Sequence, residues 1–330
     1  MKIRVLGARD VDGAVSMAEA VDVVSGAFIQ LSQKKAQAPV RTALKLDGEG
    51  DALVMPAFLS GTAALGAKMV TVVPGNPAKS LPAVQALVMV FDGVNGSPLA
   101  VLEGTHLTRF RTGAASGAAT RALSRPESEV LAVFGAGGQS FFQVKGVMAV
   151  RKVRTIRVFD LLPDRANALI ARLKEEAWSS GADVRRAGSS AEAVEGADIV
   201  VTATTSPRPV FEGRLLREGA HVNAIGAYRP EMQEVDEETI LRSKVFVDSV
   251  AACLEEAGDL IIPLKNGRIQ QDHIKGEIGE VLAGIRPGRT DSREITYFKS
   301  VGNAVQDVSV ARAILMRAAE KGMGKEIDLG

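Results

Sequence analysis

The sequence is poor in cysteine and has almost no net charge. Its one cysteine, Cys253, cannot form an internal disulfide, which indicates a reducing compartment. Its 40 lysines and arginines nearly balance 39 aspartates and glutamates. This balance argues against the broad positive surface that binds nucleic acid or an acidic membrane.

Long apolar runs are also missing. No uninterrupted run approaches the ~20 residues that span a bilayer. The opening MKIRVLGARDVDG reaches Gly7 and Asp10 too early for the apolar core of a signal peptide. We therefore predict a soluble, cytoplasmic protein that uses neither a nucleic acid nor a membrane as its partner.

The first third of the 330-residue chain combines one clear helix with short β-rich runs. Ser16 and Glu19 form a capping-box pattern ahead of an apolar stripe at helical spacing, which predicts a helix. Between residues 39 and 102, Gly, Pro and Asp break up apolar runs, and Asn95-Gly96 predicts a hairpin turn. We expect a mostly antiparallel sheet here. A helix rich in Ala and Gly follows from about Leu107, and its small residues predict close packing against another element.

From residue 130 onward, strand-like runs alternate with helical ones. This alternation predicts a parallel sheet with helices on both faces. A further short strand and a long helix follow near the end of the chain. The strand-like runs are Val130–Phe134, Ile156–Asp160, Asp198–Thr202, His221–Ile225 and Val245–Asp248.

The first of these strands runs into a glycine-rich turn. Gly135, Gly137, Gly138 and Gln139 lie between the strand and a helical stretch, and Ser140 stands where a third glycine is usual. Such glycines let the backbone bend and approach a pyrophosphate, while the next helix offers its N-terminal N–H groups. The glycine pair alone is a weak signal, but its strand–turn–helix context predicts a dinucleotide site.

Asp160 ends the second strand, 25 residues after Gly135 (160 − 135) and slightly beyond the usual ~20. A carboxylate there can accept both ribose hydroxyls and would repel a 2′-phosphate; the alternative is a turn or helix-cap residue. Since no arginine follows directly and Arg165 stands five residues on, we expect NADH to be preferred without NADPH being excluded. Thr202 and Thr204 either line the adenosine side or cap a βα turn.

Five segments, in order, resemble the ornithine cyclodeaminase/μ-crystallin family. The resemblance covers nearly the whole chain, and the LTRFRTGAAS and GAK parts make it specific. The segments are APVRTAL, the run from GAKMVTVV through RTGAASGAAT, VFGAGGQS, NAIGAYRPEMQEVDEE and KSVGNAVQD.

The resemblance implies a two-domain fold and a reaction class. A Rossmann-type, doubly wound parallel sheet would occupy residues 119–302. An α+β domain from residues 1–118 and 303–330 would bind substrate and form a homodimer through its sheet, with the active site in the cleft between the domains. Family members use NAD(P) on small α-amino or α-imino acids.

The resemblance also assigns site residues. Arg41, Lys68 and Arg111 match residues that gather around the substrate carboxylate, a role that suits fixed cations and a planar guanidinium. Taken alone, Lys68 could instead reach solvent from a sheet edge, and Arg111 could form a surface ion pair. The resemblance assigns Val301 to the substrate and assigns these residues to the cofactor: Arg111, Ile225, Gly226, Ala227 and Ser300.

The stretch GAYRPEM departs from the cyclodeaminase pattern. Tyr228 stands where cyclodeaminases carry an aspartate that moves protons and holds the substrate amine, and Met232 replaces a lysine near the cofactor. Without that carboxylate there is no anchor for a second ammonium group, which a cyclic imine does not need. This form resembles μ-crystallin and the bacterial ketimine reductases. We therefore predict NAD(P)H-dependent reduction of a cyclic ketimine carboxylate, with Δ1-pyrroline-2-carboxylate to L-proline as the first candidate.

The predicted mechanism is hydride transfer to C2 of the imine, with Arg41, Lys68 and Arg111 holding the carboxylate. Either Tyr228 donates the proton, or the iminium form arrives protonated from solution and Tyr228 is a wall residue or a backbone contact of the cofactor. Two alternatives stay open: ornithine cyclodeamination or amino-acid dehydrogenation such as that of L-alanine, and non-catalytic binding of a small ligand.

Asp307 either orients a basic residue or caps a neighbouring element. The widely separated histidines predict no metal site; they are His106, His221 and His273.

Overall fold

The computed structural model describes residues 1–48 and 50–330. Their contacts divide the chain into two compact units, Met1–Arg111 with Asn303–Gly330 and Thr112–Gly302. The sequence-based boundary between residues 118 and 119 and the boundary after Arg111 both fall within one helix, Gly104–Leu123.

The described residues form two eight-stranded sheets with flanking helices. In chain order the strands are β1 (Lys2–Leu6), β2 (Ala36–Gln37), β3 (Thr42–Leu46), β4 (Gly50–Leu59), β5 (Ala64–Val72), β6 (Val84–Asp92), β7 (Pro98–Glu103), β8 (Val130–Phe134), β9 (Thr155–Phe159), β10 (Asp183–Arg186), β11 (Ile199–Thr202), β12 (His221–Ala224), β13 (Ser243–Val247), β14 (Ile274–Glu277), β15 (Ile295–Lys299) and β16 (Lys325–Asp328). The helices are α1 (Ala8–Ala14), α2 (Met17–Ser32), α3 (Gly104–Leu123), α4 (Ser140–Met148), α5 (Pro163–Lys174), α6 (Ser190–Val194), α7 (Glu237–Arg242), α8 (Val250–Glu256), α9 (Gly258–Lys265), α10 (Ile278–Leu282) and α11 (Ala304–Glu320), and short 3-10 helices lie at Asn76–Lys79, Ala177–Ser179, Gly213–Leu215 and Gln271–His273.

The sheet of the first unit has the order β16-β1-β7-β6-β5-β4-β2, with β3 also paired to β4. Its ladders are antiparallel except between β1 and β7, so the prediction of a mostly antiparallel sheet is confirmed. Helices α2 and α11 cover one face, where Val305 and Val308 lie in one core with Met55 and Val70. Each strand alternates its side chains between the faces. Lys68, two residues before Val70, therefore lies on the face covered by the helices, and its neighbour Met69 lies on the other face.

Two local predictions in this unit are confirmed. The Ser16 hydroxyl accepts the Glu19 N–H at 3.2 Å, and the Glu19 carboxylate accepts the Ser16 N–H at 2.9 Å. These two bonds form the predicted capping box at the N-terminus of α2. The hairpin between β6 and β7 turns at Gly96, whose φ of 77° suits a residue without a Cβ.

The sheet of the second unit is parallel throughout, in the order β10-β9-β8-β11-β12-β15-β13-β14. The predicted Rossmann-type fold is thereby confirmed. The order reverses between β8 and β11, so the glycine turn after β8 lies at a topological switch point, where open α/β sheets bind ligands. The prediction missed β10 and β14, because both are four-residue edge strands without an apolar run.

Close packing of the Ala- and Gly-rich helix is also confirmed. A Cβ on Gly113 would lie 2.1 Å from the Phe142 carbonyl oxygen, and one on Gly146 would lie 1.9 Å from the Gly113 carbonyl oxygen. Helices α3 and α4 therefore touch backbone to backbone. Because α4 follows the glycine turn, this contact fixes the helix N-terminus that faces the turn.

Among the described residues, no single helix is both long and apolar enough to cross a membrane. The pair Ala8–Ala14 and Met17–Ser32 meets the length and composition test only when joined, across a bend of 88°.

Candidate active site

The glycine turn leaves β8 with the geometry that a dinucleotide site requires. Gly135 has a φ of 89°, and a Cβ there would lie 2.8 Å from both the Ala203 carbonyl oxygen and Thr204 Cγ2. Gly137 instead faces open space, with no atom within 4 Å of where its Cβ would lie. The turn thus uses one glycine for its bend and leaves room beside the other.

Ser140, in place of the third glycine, is fully buried and begins α4. Its Oγ donates to the Gly135 carbonyl oxygen at 2.7 Å. The hydroxyl closes the turn across its base, so the departure from the three-glycine pattern still gives a tight turn.

Asp160 follows β9 directly and ties that strand end to the glycine turn. Its Oδ2 accepts the Ala136 N–H at 2.8 Å, and its Oδ1 accepts the Leu162 N–H at 2.8 Å. The turn-residue alternative is therefore part of its role. A carboxylate oxygen has two lone pairs, so these bonds leave acceptor capacity for a ribose.

The loops after β11 and β12 approach each other closely. A Cβ on Gly226 would lie 2.0 Å from the Thr204 carbonyl oxygen. The buried Glu234 accepts the Thr204 N–H at 2.6 Å, the Gly226 N–H at 2.6 Å and the Ala227 N–H at 3.0 Å. Thr202, Thr204, Gly226 and Ala227, four predicted cofactor residues, therefore stand at neighbouring strand ends.

Two buried polar atoms beside these strand ends fit a bound dinucleotide. Gln139 Oε1 and Thr202 Oγ1 are buried and have no hydrogen-bond partner within residues 1–48 and 50–330. A buried polar group without a partner costs free energy, which a ligand would recover. With the space beside Gly137, the residues present suit NAD(H).

A second buried carboxylate holds the segment of Ser300 and Val301. Asp248 Oδ2 accepts the Ser300 hydroxyl at 2.6 Å and the Gly302 N–H at 3.0 Å. This fixes the short segment after β15 that holds Val301, whose side chain is buried. Ile225 is likewise buried, directly after β12.

In the first unit, Lys68 and Arg111 meet at one carboxylate. Lys68 Nζ donates to Asp307 Oδ2 at 2.8 Å, and Arg111 Nε donates to Asp307 Oδ1 at 2.9 Å. Arg111 also donates to Gln306 Oε1. Lys68 is 2% exposed on the helix-covered face of β5, so it does not extend from a sheet edge to solvent. The Arg111 ion pair is buried rather than on the surface.

The burial of this cluster changes how its groups titrate. Burial lowers the pKa of Lys68 to about 8, against the opposing pull of Asp307, and the positive charges of Arg111 and Arg41 lower it further. Burial acts to raise the pKa of Asp307, but Arg111 and Lys68 outweigh it and hold that pKa below its usual value. Arg41, the third predicted carboxylate ligand, thus lies within electrostatic reach of Lys68.

Tyr228 lies in the second unit, on the loop after β12. Its ring is partly buried against the core of that unit, and the Arg229 guanidinium carbon lies 5.6 Å from the ring centroid. A phenol placed at a strand end can donate a proton or form part of a pocket wall.

The histidines have structural partners. His221 is buried between Thr296 and Asn223, and burial lowers its pKa to about 3, so it stays neutral. His106 contacts Asp12 and His273 contacts the Ile240 carbonyl. Among the described residues no three His, Cys, Asp or Glu side chains form a metal-binding group.

Sequence reasoning left three residues out of the site: Gln306, Asp307 and Glu234. Asp307 has a signal in the sequence, since an acidic residue within an apolar helical face requires a cationic partner when buried. Glu234 lacks such a signal because YRPEMQEVDEE contains several acids, and only the fold shows which one is buried.

The parallel sheet and the glycine turn at its switch point define the class of Rossmann-type dinucleotide-binding proteins. Over residues 1–322 the sequence matches the profile of the ornithine cyclodeaminase/mu-crystallin family, and the chain belongs to that family. The predicted family is thereby confirmed.

Three known proteins illustrate this similarity. A Δ1-pyrroline-2-carboxylate reductase of Bacillus cereus is 38% identical over 98% of this chain and 99% of its own. The structure of Thermococcus litoralis Δ1-pyrroline-2-carboxylate reductase in complex with NADH and L-proline has a TM-score of 0.94 at 38% identity, over 98% of this chain and 100% of that one. An archaeal alanine dehydrogenase dimer with bound NAD has a TM-score of 0.92 at 34% identity, over 100% of both chains.

Proposed function

We propose that this protein reduces a cyclic ketimine carboxylate with NADH, with Δ1-pyrroline-2-carboxylate as substrate and L-proline as product. The observation that carries the proposal is the buried cluster in which Lys68 and Arg111 share Asp307. These two cations share one carboxylate, so the cluster retains positive charge for a substrate carboxylate. The names of the Bacillus and Thermococcus relatives supply the substrate class.

The chain's contribution is to orient the substrate and to stabilise charge. Bound NADH supplies the hydride, which passes from C4 of the nicotinamide to C2 of the imine. Lys68 and Arg111 hold the carboxylate through charge-assisted hydrogen bonds, and Arg41 adds to their field. Asp307 keeps both side chains in place because each of its oxygens accepts one of them. Such orientation lowers the entropy cost of reaching the transition state.

Tyr228 is the proposed source of the proton on the imine nitrogen. It stands where a deaminating relative would need a carboxylate, and a neutral phenol lacks the negative charge that would bind a second ammonium group. This favours a substrate whose nitrogen is tied into the ring. The proposal therefore places reduction ahead of deamination.

The experiment is a substrate panel with the purified protein. NADH oxidation at 340 nm is followed with Δ1-pyrroline-2-carboxylate, and NAD⁺ reduction and ammonia release are followed with L-alanine and L-ornithine. We expect fast NADH oxidation with the imine only. Ammonia release from an amino acid would favour a dehydrogenase or cyclodeaminase, and binding of ligands without turnover would favour a non-catalytic carrier.

We also propose a homodimer formed through the open face of the first unit's sheet. Met69 and Leu87 are register partners on β5 and β6, and they are 47% and 56% exposed on the face that α2 and α11 do not cover. Met89 on β6 extends this apolar area. Exposed apolar patches of this kind mark protein interfaces, and the archaeal relative is described as a dimer.

Light scattering with size exclusion tests the dimer. The double variant Met69→Glu with Leu87→Glu is expected to be monomeric, because two carboxylates would be buried without partners. Val94→Glu is the matched control, since Val94 is 87% exposed at the hairpin turn, away from this face. A dimeric double variant would place the interface elsewhere.

A cytoplasmic location is part of the same proposal. Cys253 is buried and free, and burial raises the pKa of its thiol well above the usual value. A single buried thiol cannot form an internal disulfide, so this fold has no bond whose formation requires an oxidising compartment.

A further inference from the structure

Behind the proposed cofactor loops lies a chain of buried charged groups that the proposed mechanism does not use. Lys299 Nζ donates to Asp259 Oδ2 at 2.7 Å, and Asp259 Oδ1 accepts the Glu234 N–H at 2.7 Å. The Tyr297 hydroxyl also donates to Asp259, at 3.2 Å. All four side chains are 0% exposed. Charges are buried at such a cost only where their partners are fixed.

Glu234 is the end of this chain that reaches the loops. Its Oε1 accepts both the N–H and the hydroxyl of Thr204, at 2.6 and 2.8 Å. Its Oε2 accepts the N–H groups of Gly226 and Ala227. Four donors converge on two oxygens, and an ionised carboxylate can accept all four at its lone pairs. Burial and the nearby Asp259 carboxylate raise the pKa of Glu234, and Lys299 and the bonds from Thr204 only partly oppose that rise.

The loops joined by Glu234 also abut the glycine turn. Thr204 Cγ2 and the Ala203 carbonyl oxygen lie where a Cβ on Gly135 would clash, and the Thr204 carbonyl oxygen lies where one on Gly226 would clash. The loop of Thr204 is therefore held between the other two. The buried Glu234 carboxylate thus joins two loops, and one of these loops packs against the glycine turn.

We propose that Glu234 is a positioning residue for NADH, and that Asp259 and Lys299 hold it in place. The inference rests on the proposed function, because it takes the three segments as the walls of the cofactor site. Glu234→Gln would turn an acceptor toward the loops into an NH₂ group, which cannot accept from Thr204 or from Gly226 and Ala227. The loops would then separate, and NADH would lose contacts on both sides at once.

The test measures NADH binding directly, by the change in its fluorescence in the absence of any imine, in variants shown to be folded by circular dichroism. Glu234→Gln is expected to raise the NADH Kd at least tenfold. The matched control is Asp236→Asn, two residues on, because Asp236 also accepts backbone N–H groups, from Gly213 and Thr239, but does so away from these loops. The control is expected to lose thermal stability and keep the parent Kd.

Amide hydrogen exchange adds a second readout. The Thr204, Gly226 and Ala227 amides are expected to exchange faster in Glu234→Gln than in Asp236→Asn. If Glu234→Gln does not fold, Glu234→Asp takes its place, since it keeps the charge with a shorter reach and is expected to raise the Kd by a smaller factor. A folded Glu234 variant with the parent Kd, or an equal loss in Asp236→Asn, overturns the inference. A parent protein that does not bind NADH would instead overturn the proposed function.

Discussion

Lys68 on β5 and Asp307 on α11 form an ion pair with 2.8 Å between Nζ and Oδ2, and their side chains are 2% and 0% exposed. Arg111 occupies the other oxygen of the same carboxylate. A buried ion pair adds little to stability, because desolvation offsets the attraction of its charges. A cluster with two cations and one anion is therefore better explained by binding of an anionic ligand than by a contribution to the stability of the fold.

The first prediction concerns the two cations that share Asp307. Lys68→Ala and Arg111→Ala are each expected to lower kcat/KM for the imine by the equivalent of about 2–5 kcal/mol, the usual cost of truncating one partner of a desolvated charge pair. NADH affinity, measured separately, should change little in Lys68→Ala, whereas Arg111→Ala can also weaken NADH binding because Arg111 is a predicted cofactor residue. Lys45→Ala is the control, since Lys45 is 84% exposed on β3. Either variant reducing the imine at close to the parent rate would remove that residue from the site.

The second prediction follows from the lowered pKa of Lys68. Below about pH 8 Lys68 is cationic, and as the pH rises through 8 it loses the charge that attracts a carboxylate. We expect the inhibition constant of cyclopentanecarboxylate, which has no titrating nitrogen, to rise between pH 7 and 9.5. Lys68→Arg, whose charge persists in this range, should flatten the profile. A parent profile as flat as that of the variant would contradict the assignment.

The same shift affects the free energy of unfolding with a defined sign. Between about pH 8 and the ordinary value of 10.5, the unfolded chain holds a proton at Lys68 that the folded chain has lost. Unfolding therefore takes up protons in this window, and the contribution of Lys68 to stability improves as the pH rises through it. Below about pH 8 the protonated lysine is buried at full cost.

The third prediction tests whether the open space beside Gly137 is needed for NADH binding and not for folding. Gly137→Ala places a methyl group in open space, so the melting temperature should stay close to that of the parent. The methyl group would occupy the space in which a pyrophosphate approaches the turn, and NADH should bind at least tenfold more weakly. Gly181→Ala is the control, because Gly181 also has nothing within 4 Å and lies in the same unit. Unchanged NADH binding in Gly137→Ala would show that the turn does not face the cofactor.

The fourth prediction concerns the choice between NADH and NADPH. A 2′-phosphate would lie against the Asp160 carboxylate, so the parent should have the higher kcat/KM with NADH. Asp160→Ser should narrow the ratio, because it removes both the repulsion and the acceptor for the ribose. It also removes the bond to the Ala136 N–H, so some loss of thermal stability is expected. A parent that favours NADPH, or a ratio unchanged in the variant, would contradict the role of Asp160.

The sequence was most informative where local chemistry decides the outcome. The capping residues Ser16 and Glu19, the hairpin glycine Gly96 and the turn at Gly135 all have patterns that act within a few residues. Lys68 was also recognisable from the sequence, because a lysine is rarely buried in an apolar strand unless it has a partner. The two sheets were predicted from the β-rich runs and their alternation with helical stretches, and the family resemblance supplied most of the other proposed site residues.

The partners of those residues could not be predicted, because they depend on long-range packing. Asp307 is 239 residues from Lys68 in the chain, and only the packing of α11 on β5 brings the two together. Glu234 is one of several acids in its segment, and its burial follows from how two loops meet. Sequence patterns indicate that a buried charge needs a partner, but the fold decides which residue supplies it.

The most direct test follows one hydrogen atom through the reaction. The purified protein is incubated with Δ1-pyrroline-2-carboxylate and NADH that carries deuterium at C4 of the nicotinamide, on the transferred face, and the product is analysed by mass spectrometry and chiral chromatography. We expect L-proline with one deuterium at its α-carbon, and unlabelled product when the same experiment uses NADH deuterated on the other face. Proline without deuterium from both labelled cofactors, or NADH that stays unoxidised in the presence of the imine, would contradict the proposed function.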